Sequence, residues 1–112
     1  MKPNNYFERA GTIAASGAGT ILGTQSSSLV YAFYEMQIQL EGTGPQTFII
    51  QGGSVQPRVY CANAGDGMIK VWDNSNEGEA LWRTQPGSAL IFDSSGSAQY
   101  NYFVRGFSEP VY

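Results

Sequence analysis

The sequence predicts an all-β chain, a single β-sandwich of jelly-roll-like type with about eight short strands and an N-terminal arm. Gly, Pro, Ser and Asn punctuate the whole length, and the apolar runs between them span only about four to seven residues. The longest regular stretch, residues 29 to 40, alternates with a period of two rather than 3.6. Eight or more such segments, tightly connected, fit two packed sheets.

Residues 1–10 (MKPNNYFERA) read as an irregular arm, and 11–112 as the sandwich. Gly11 to Ala15 is a candidate first strand, broken by Ser16-Gly17-Ala18-Gly19 before Thr20-Ile21-Leu22. Leu29 to Leu40 is the clearest element. Val30, Ala32, Tyr34, Met36, Ile38 and Leu40 alternate there with Tyr31, Phe33, Glu35, Gln37 and Gln39. The second face begins with two aromatics, so Tyr31 and Phe33 call for an apolar cover. Gly42 to Pro45 is a turn, Gln46 to Gln51 a short strand, and Gly52-Gly53 another break. Val55 to Ala62 and Met68 to Asp73 flank a hairpin connection, Asn63-Ala64-Gly65-Asp66-Gly67. Ala80 to Thr84 and Ser88 to Ser94 flank Gln85-Pro86-Gly87, whose Pro then Gly suits a type II turn. After Ser95-Gly96-Ser97, the segment Ala98 to Phe107 closes the domain.

Composition narrows the chemistry. The 112 residues contain no His and one Cys, which removes imidazole bases, His-ligated metals, Ser-His-Asp or Cys-His nucleophiles and internal disulfides. Nine acidic and six scattered basic residues leave a net charge of −3, so binding to nucleic acid by phosphate neutralisation is not expected. No apolar run reaches the roughly 18 to 20 residues of a spanning helix, so no membrane partner is expected. The N-terminus offers only Lys2 as a positive n-region, followed by Glu8 and a Gly/Ser-interrupted stretch, a poor secretory signal. Charged residues make up 13% of the chain and hydrophobic ones 42%, so solubility rests on neutral polar side chains.

Four constellations carry candidate chemistry. Asp73, Ser75 and Glu77 followed by Gly78 imitate the start of a calcium loop, but Thr84 stands where a bidentate Glu would close it, so this is a weak metal candidate beside a solvated acidic turn. Asp66 and Asp73 could pair as glycosidase acids, yet nothing around them would raise the pKa of one member. Trp72 and Trp82, with Tyr60, Tyr100 and Tyr102, are ligand-platform candidates for a host glycan; filling the core and burial between subunits are the competing uses. Alternation over Met68 to Asp73 groups Ile69 with Val71 and places Trp72 on the opposite, more exposed face. Cys61 lies in an apolar run and reads as a buried structural thiol.

One order of segments stands out: Gly11-Thr-Ile-Ala-Ala-Ser-Gly-Ala-Gly-Thr-Ile-Leu22, the strand at 29–40, the segment Glu79 to Leu90 with Thr84, Gly87, Ala89 and Leu90 in a Thr-x-x-Gly-x-Ala-Leu pattern, the Ser95-Gly96 turn, and the closing strand to Arg105. This order resembles the small all-β virion structural proteins of tailed bacteriophages. Residues 1–10 and 73–79 depart from that pattern. The resemblance implies a non-enzymatic module without cofactor that decorates or connects capsid or tail, made in the host cytoplasm and located in the virion. Its partners would be other virion proteins and further copies of itself in a homo-oligomer. Interface candidates are Tyr6 and Phe7 in the arm and Tyr31 and Phe33 on the unexpected strand face. The alternative function is a carbohydrate- or receptor-binding β-sandwich module.

Overall fold

The computed structural model describes residues 5–72 and 81–111. Its strands are β1 (Tyr6–Ile13), β2 (Gly17–Leu22), β3 (Leu29–Leu40), β4 (Gln46–Gln51), β5 (Arg58–Cys61), β6 (Gly67–Val71), β7 (Trp82–Arg83), β8 (Leu90–Ser94) and β9 (Tyr100–Pro110). They form two antiparallel sheets packed as a sandwich. One has the order β1-β9-β3-β6, with β7 also paired to β3; the other has the order β2-β8-β4-β5.

Between the sheets lie Phe33, Met36, Ile38 and Leu40 of β3, Tyr100 and Val104 of β9, and Phe48, Ile50, Leu90 and Phe92 of β4 and β8. Aromatic rings bridge the layers: Phe48 meets Tyr100 at 4.6 Å and Phe92 meets Tyr102 at 6.2 Å, both edge to face. Gln46 is the polar member of this interior. Its amide nitrogen donates to the Ser94 hydroxyl and the Ala98 carbonyl, and its oxygen accepts from the Ala98 N–H, which ties β4 to the 94–98 turn. Cys61 is buried and unpaired, and burial pushes its thiol pKa up.

Local turns follow the residues that demanded them. Ser88 N–H donates to the Gln85 carbonyl at 3.0 Å, and Gly87 has φ of 75°, so Pro86 then Gly87 occupy the central positions of a type II turn.

Two expectations change here. Tyr6 to Ala10 are not an irregular arm but part of β1, in unbroken register with β9 from Tyr6 opposite Phe107 to Ile13 opposite Tyr100. Glu8 and Arg9 hid this strand in the sequence, because at a sheet edge charged side chains cost nothing. The alternation of β3 is also interrupted. Phe33 pairs with Gly106 and Glu35 with Arg105, so Tyr34 is an extra residue, a β-bulge that shifts the pattern of faces. Gly106 permits the close approach, since a Cβ there would run into the Ala32 carbonyl.

Candidate interaction surface

The bulge decides where the aromatic candidates go. Phe7 and Phe33 both pair with Gly106 and so share the inner face, where their rings meet at 5.7 Å. Tyr31 packs edge to face on Phe7 at 5.7 Å, and Trp82 lies 5.7 Å from Phe33. Phe33 is completely buried within its own chain and is unavailable to a partner, and Phe7 and Tyr31 are half-buried against the same cluster. The apolar cover that Tyr31 and Phe33 required is therefore β1, β7 and the facing sheet. Tyr6 takes the outer face with Tyr34 and Phe107, and its hydroxyl donates to Glu8 at 2.8 Å. That face also holds the Glu35–Arg105 ion pair at 2.8 Å. The Arg105 guanidinium and a Gln37 amide hold the Glu35 carboxyl below its usual pKa, and Arg105 lies over the Tyr34 ring.

Strand β6 reverses the predicted faces. Its register with β3 sets Met68 and Lys70 opposite the inner-facing Ile38 and Met36, and Ile69 and Val71 opposite Gln37 and Glu35. Ile69 is thus 73% exposed and Val71 54%, whereas Trp72, expected on the exposed face, is 9% exposed. The physical reason is volume: the Met and Trp side chains fill the space between sheets better than two β-branched residues, and Lys70 can lay its alkyl stem along apolar surface there. Signals for this were present in the alternation itself, but composition misled the assignment, because Ile and Val are the more apolar pair.

The two tryptophans come together. Trp72 and Trp82, with Met36, Ile50, Pro57, Met68 and Lys70, line a cavity of about 240 Å³ between the sheets. Its walls are mostly apolar, with Lys70 as the charged member, and Trp72 is too enclosed to present an open ring face on which a sugar could stack. Asp66 is occupied with its own turn, where its carboxylate accepts from the Ala62 and Asn63 N–H groups at 3.0 Å each. Asp73, Ser75 and Glu77 lie outside the described residues.

The surface that sequence reading missed is one side of the sandwich. Strands β5 and β6 end their respective sheets and approach each other along that side. Of the five large hydrophobic side chains exposed among the described residues, three lie on these two edge strands: Ile69 and Val71 turn to the outer face of one sheet, and Tyr60 (66%), between buried Val59 and Cys61, turns to the outer face of the other. On the other side, edge strand β1 shows Glu8 and Arg9, and β2 is interrupted by Gly17 and Gly19. Charge and glycine are common means of blunting an edge, and β5 and β6 carry them too in Arg58, Gly67 and Lys70; what sets β6 apart is its pair of exposed β-branched residues.

No protein-family model matches the chain, and no curated protein matches it. Among solved structures, it is similar to a chain of the disulfide-linked pili of Bacillus endospore appendages, at 16% identity and TM-score 0.38, over 92% of this chain and 88% of that one. It is also similar to a chain of the virus-like particle of the extra small virus of the giant freshwater prawn Macrobrachium rosenbergii, at 6% identity and TM-score 0.47, over 100% and 84%. A third, the family two carbohydrate esterase from Cellvibrio japonicus, is 7% identical with TM-score 0.38, over 96% of this chain and 36% of that one. Likenesses at these TM-scores carry no argument about fold, chemistry or assembly.

Proposed function

We propose that this chain is a non-enzymatic structural protein of a bacteriophage particle, joined to its neighbours by protein–protein contacts on the β5–β6 side. The observation that carries this reading is the exposure of Ile69 and Val71 on edge strand β6, with Tyr60 exposed on edge strand β5 of the other sheet. Burial of such side chains against a neighbour removes apolar surface from water, while the edge offers main-chain hydrogen bonds. The strand orders β1-β9-β3-β6 and β2-β8-β4-β5 support a jelly roll, an architecture used by capsid proteins among others. The absence of His from the sequence and the burial of Cys61 support a role without catalysis. The glycan-platform alternative has less support, since its two tryptophans face an apolar cavity.

The test is co-sedimentation. Particles from a phage-producing culture that makes this chain are banded on a density gradient, and the chain is quantified by mass spectrometry. It is expected in the particle band at a fixed ratio to the shell proteins. Recovery only among soluble proteins at the top of the gradient would overturn the reading.

A further inference from the structure

We infer that the open edge of β6 is a self-association site, at which a second copy of this chain pairs antiparallel about a two-fold axis through Ile69. The inference rests on the proposed assembly role and names the occupant of one part of that surface.

The backbone shows which groups are offered. Leu40 N–H donates to the Asp66 carbonyl, and Trp72 N–H donates to the Tyr34 carbonyl. Residues bonded toward β3 alternate along an antiparallel ladder, so Met68 and Lys70 also bond inward, while the N–H and C=O of Gly67, Ile69 and Val71 point away from β3. No other strand pairs with that side of β6 among the described residues. The same residues, Ile69 and Val71, carry the exposed side chains, so one edge combines main-chain donors and acceptors with apolar side chains.

Length selects the register. Centred on Ile69, all five residues of β6 are paired: Ile69 with Ile69 of the second copy, Gly67 with Val71, and Met68 with Lys70. Sliding one way centres the pairing on Lys70 and leaves Gly67 and Met68 with no residue of β6 opposite them. Sliding the other way runs the ladder into the turn at Asp66 and Gly65, where Gly65 has φ of 92° and the chain is no longer extended. The central register also lets Val71 lie over Gly67, which has no side chain to obstruct it. Pairing is isologous and closes at two copies, because each copy's β6 edge is taken up by the other.

Sedimentation equilibrium and amide hydrogen exchange of the full chain test this. The wild type is expected at twice the chain mass, with the Ile69 and Val71 amides protected at high concentration and exchanging freely on dilution. Ile69→Lys sets like charges across the axis and Ile69→Pro removes the central donor. Each is expected to weaken association by roughly a hundredfold or more. Ala10→Lys, on the far edge strand, is expected to leave the dimer intact. A wild type that stays monomeric up to about 1 mM, a dimer unaffected by both Ile69 variants, or one broken by Ala10→Lys would each overturn the inference. The gradient experiment reads separately: a monomer that still bands with particles removes only the two-fold pairing, and a β6-linked dimer absent from particles removes only the assembly role.

Discussion

Tyr100 stands in the middle of the core with its ring against Phe48 and a hydroxyl that has no hydrogen-bond partner among the described residues. Burial pushes its pKa up to about 12 from the model-peptide value of 10.0. Below about pH 10 the residue is neutral in both folded and unfolded chains and has no effect on the pH dependence. Between about pH 10 and 12 the unfolded chain releases a proton that the folded chain keeps, so stability falls as pH rises through that window. Tyr100→Phe is expected to raise stability at neutral pH by about 1 kcal/mol, because it removes a buried unpaired hydroxyl. In urea titrations it should also flatten the alkaline loss relative to wild type. The residue type was visible in the sequence, where Tyr100 figured as a platform ring. Its enclosure was not, because the facing rings of Phe48 and Phe92 come from distant segments.

At the scale of elements, the strands were legible and their faces were not. Long alternation over 29–40 predicts β3 to the residue, and the Pro86-Gly87 turn forms as its residue types demand. Alternation cannot locate a bulge, since an inserted residue leaves the count of apolar positions almost unchanged. Tyr34 therefore moved Tyr31 and Phe33 from a supposed outer face to the interior. Deleting Gln37, in the regular part of β3, is expected to force one half of the strand onto the wrong face, with a loss of roughly 3 kcal/mol or more by chemical denaturation, whereas deleting the extra residue Tyr34 leaves Phe33 opposite Gly106 and Glu35 opposite Arg105 and should cost much less. A Tyr34 deletion as damaging as the Gln37 deletion would mean that Tyr34 is not the inserted residue. In β6 the error had the opposite origin: the alternation was read correctly, and the wrong set was turned inward.

For the whole molecule, association and stability are linked. If a dimer forms through β6, the melting temperature of the wild type is expected to climb with protein concentration, because dilution favours the monomer and mass action then withdraws part of the stabilisation. Differential scanning calorimetry over about a hundredfold range of concentration checks this. Ile69→Lys should melt at a concentration-independent temperature near the dilute wild-type value. A wild-type melt that ignores concentration would count against coupling between the edge and the fold.

Short segments, dense turn residues and period-two alternation were enough for the sequence by itself to determine an all-β sandwich and the positions of most strands, because those features are local. The absence of His likewise settled which side-chain chemistries are unavailable. Which face of a strand is buried, and which edge stays open, was decided only by tertiary structure. Both depend on the volume between two sheets and on the partner strand's register, as the inward turn of Met68, Lys70 and Trp72 shows. The outward turn of Ile69 and Val71 follows from the same constraint, and it places the candidate surface on residues whose composition alone had assigned them to the core.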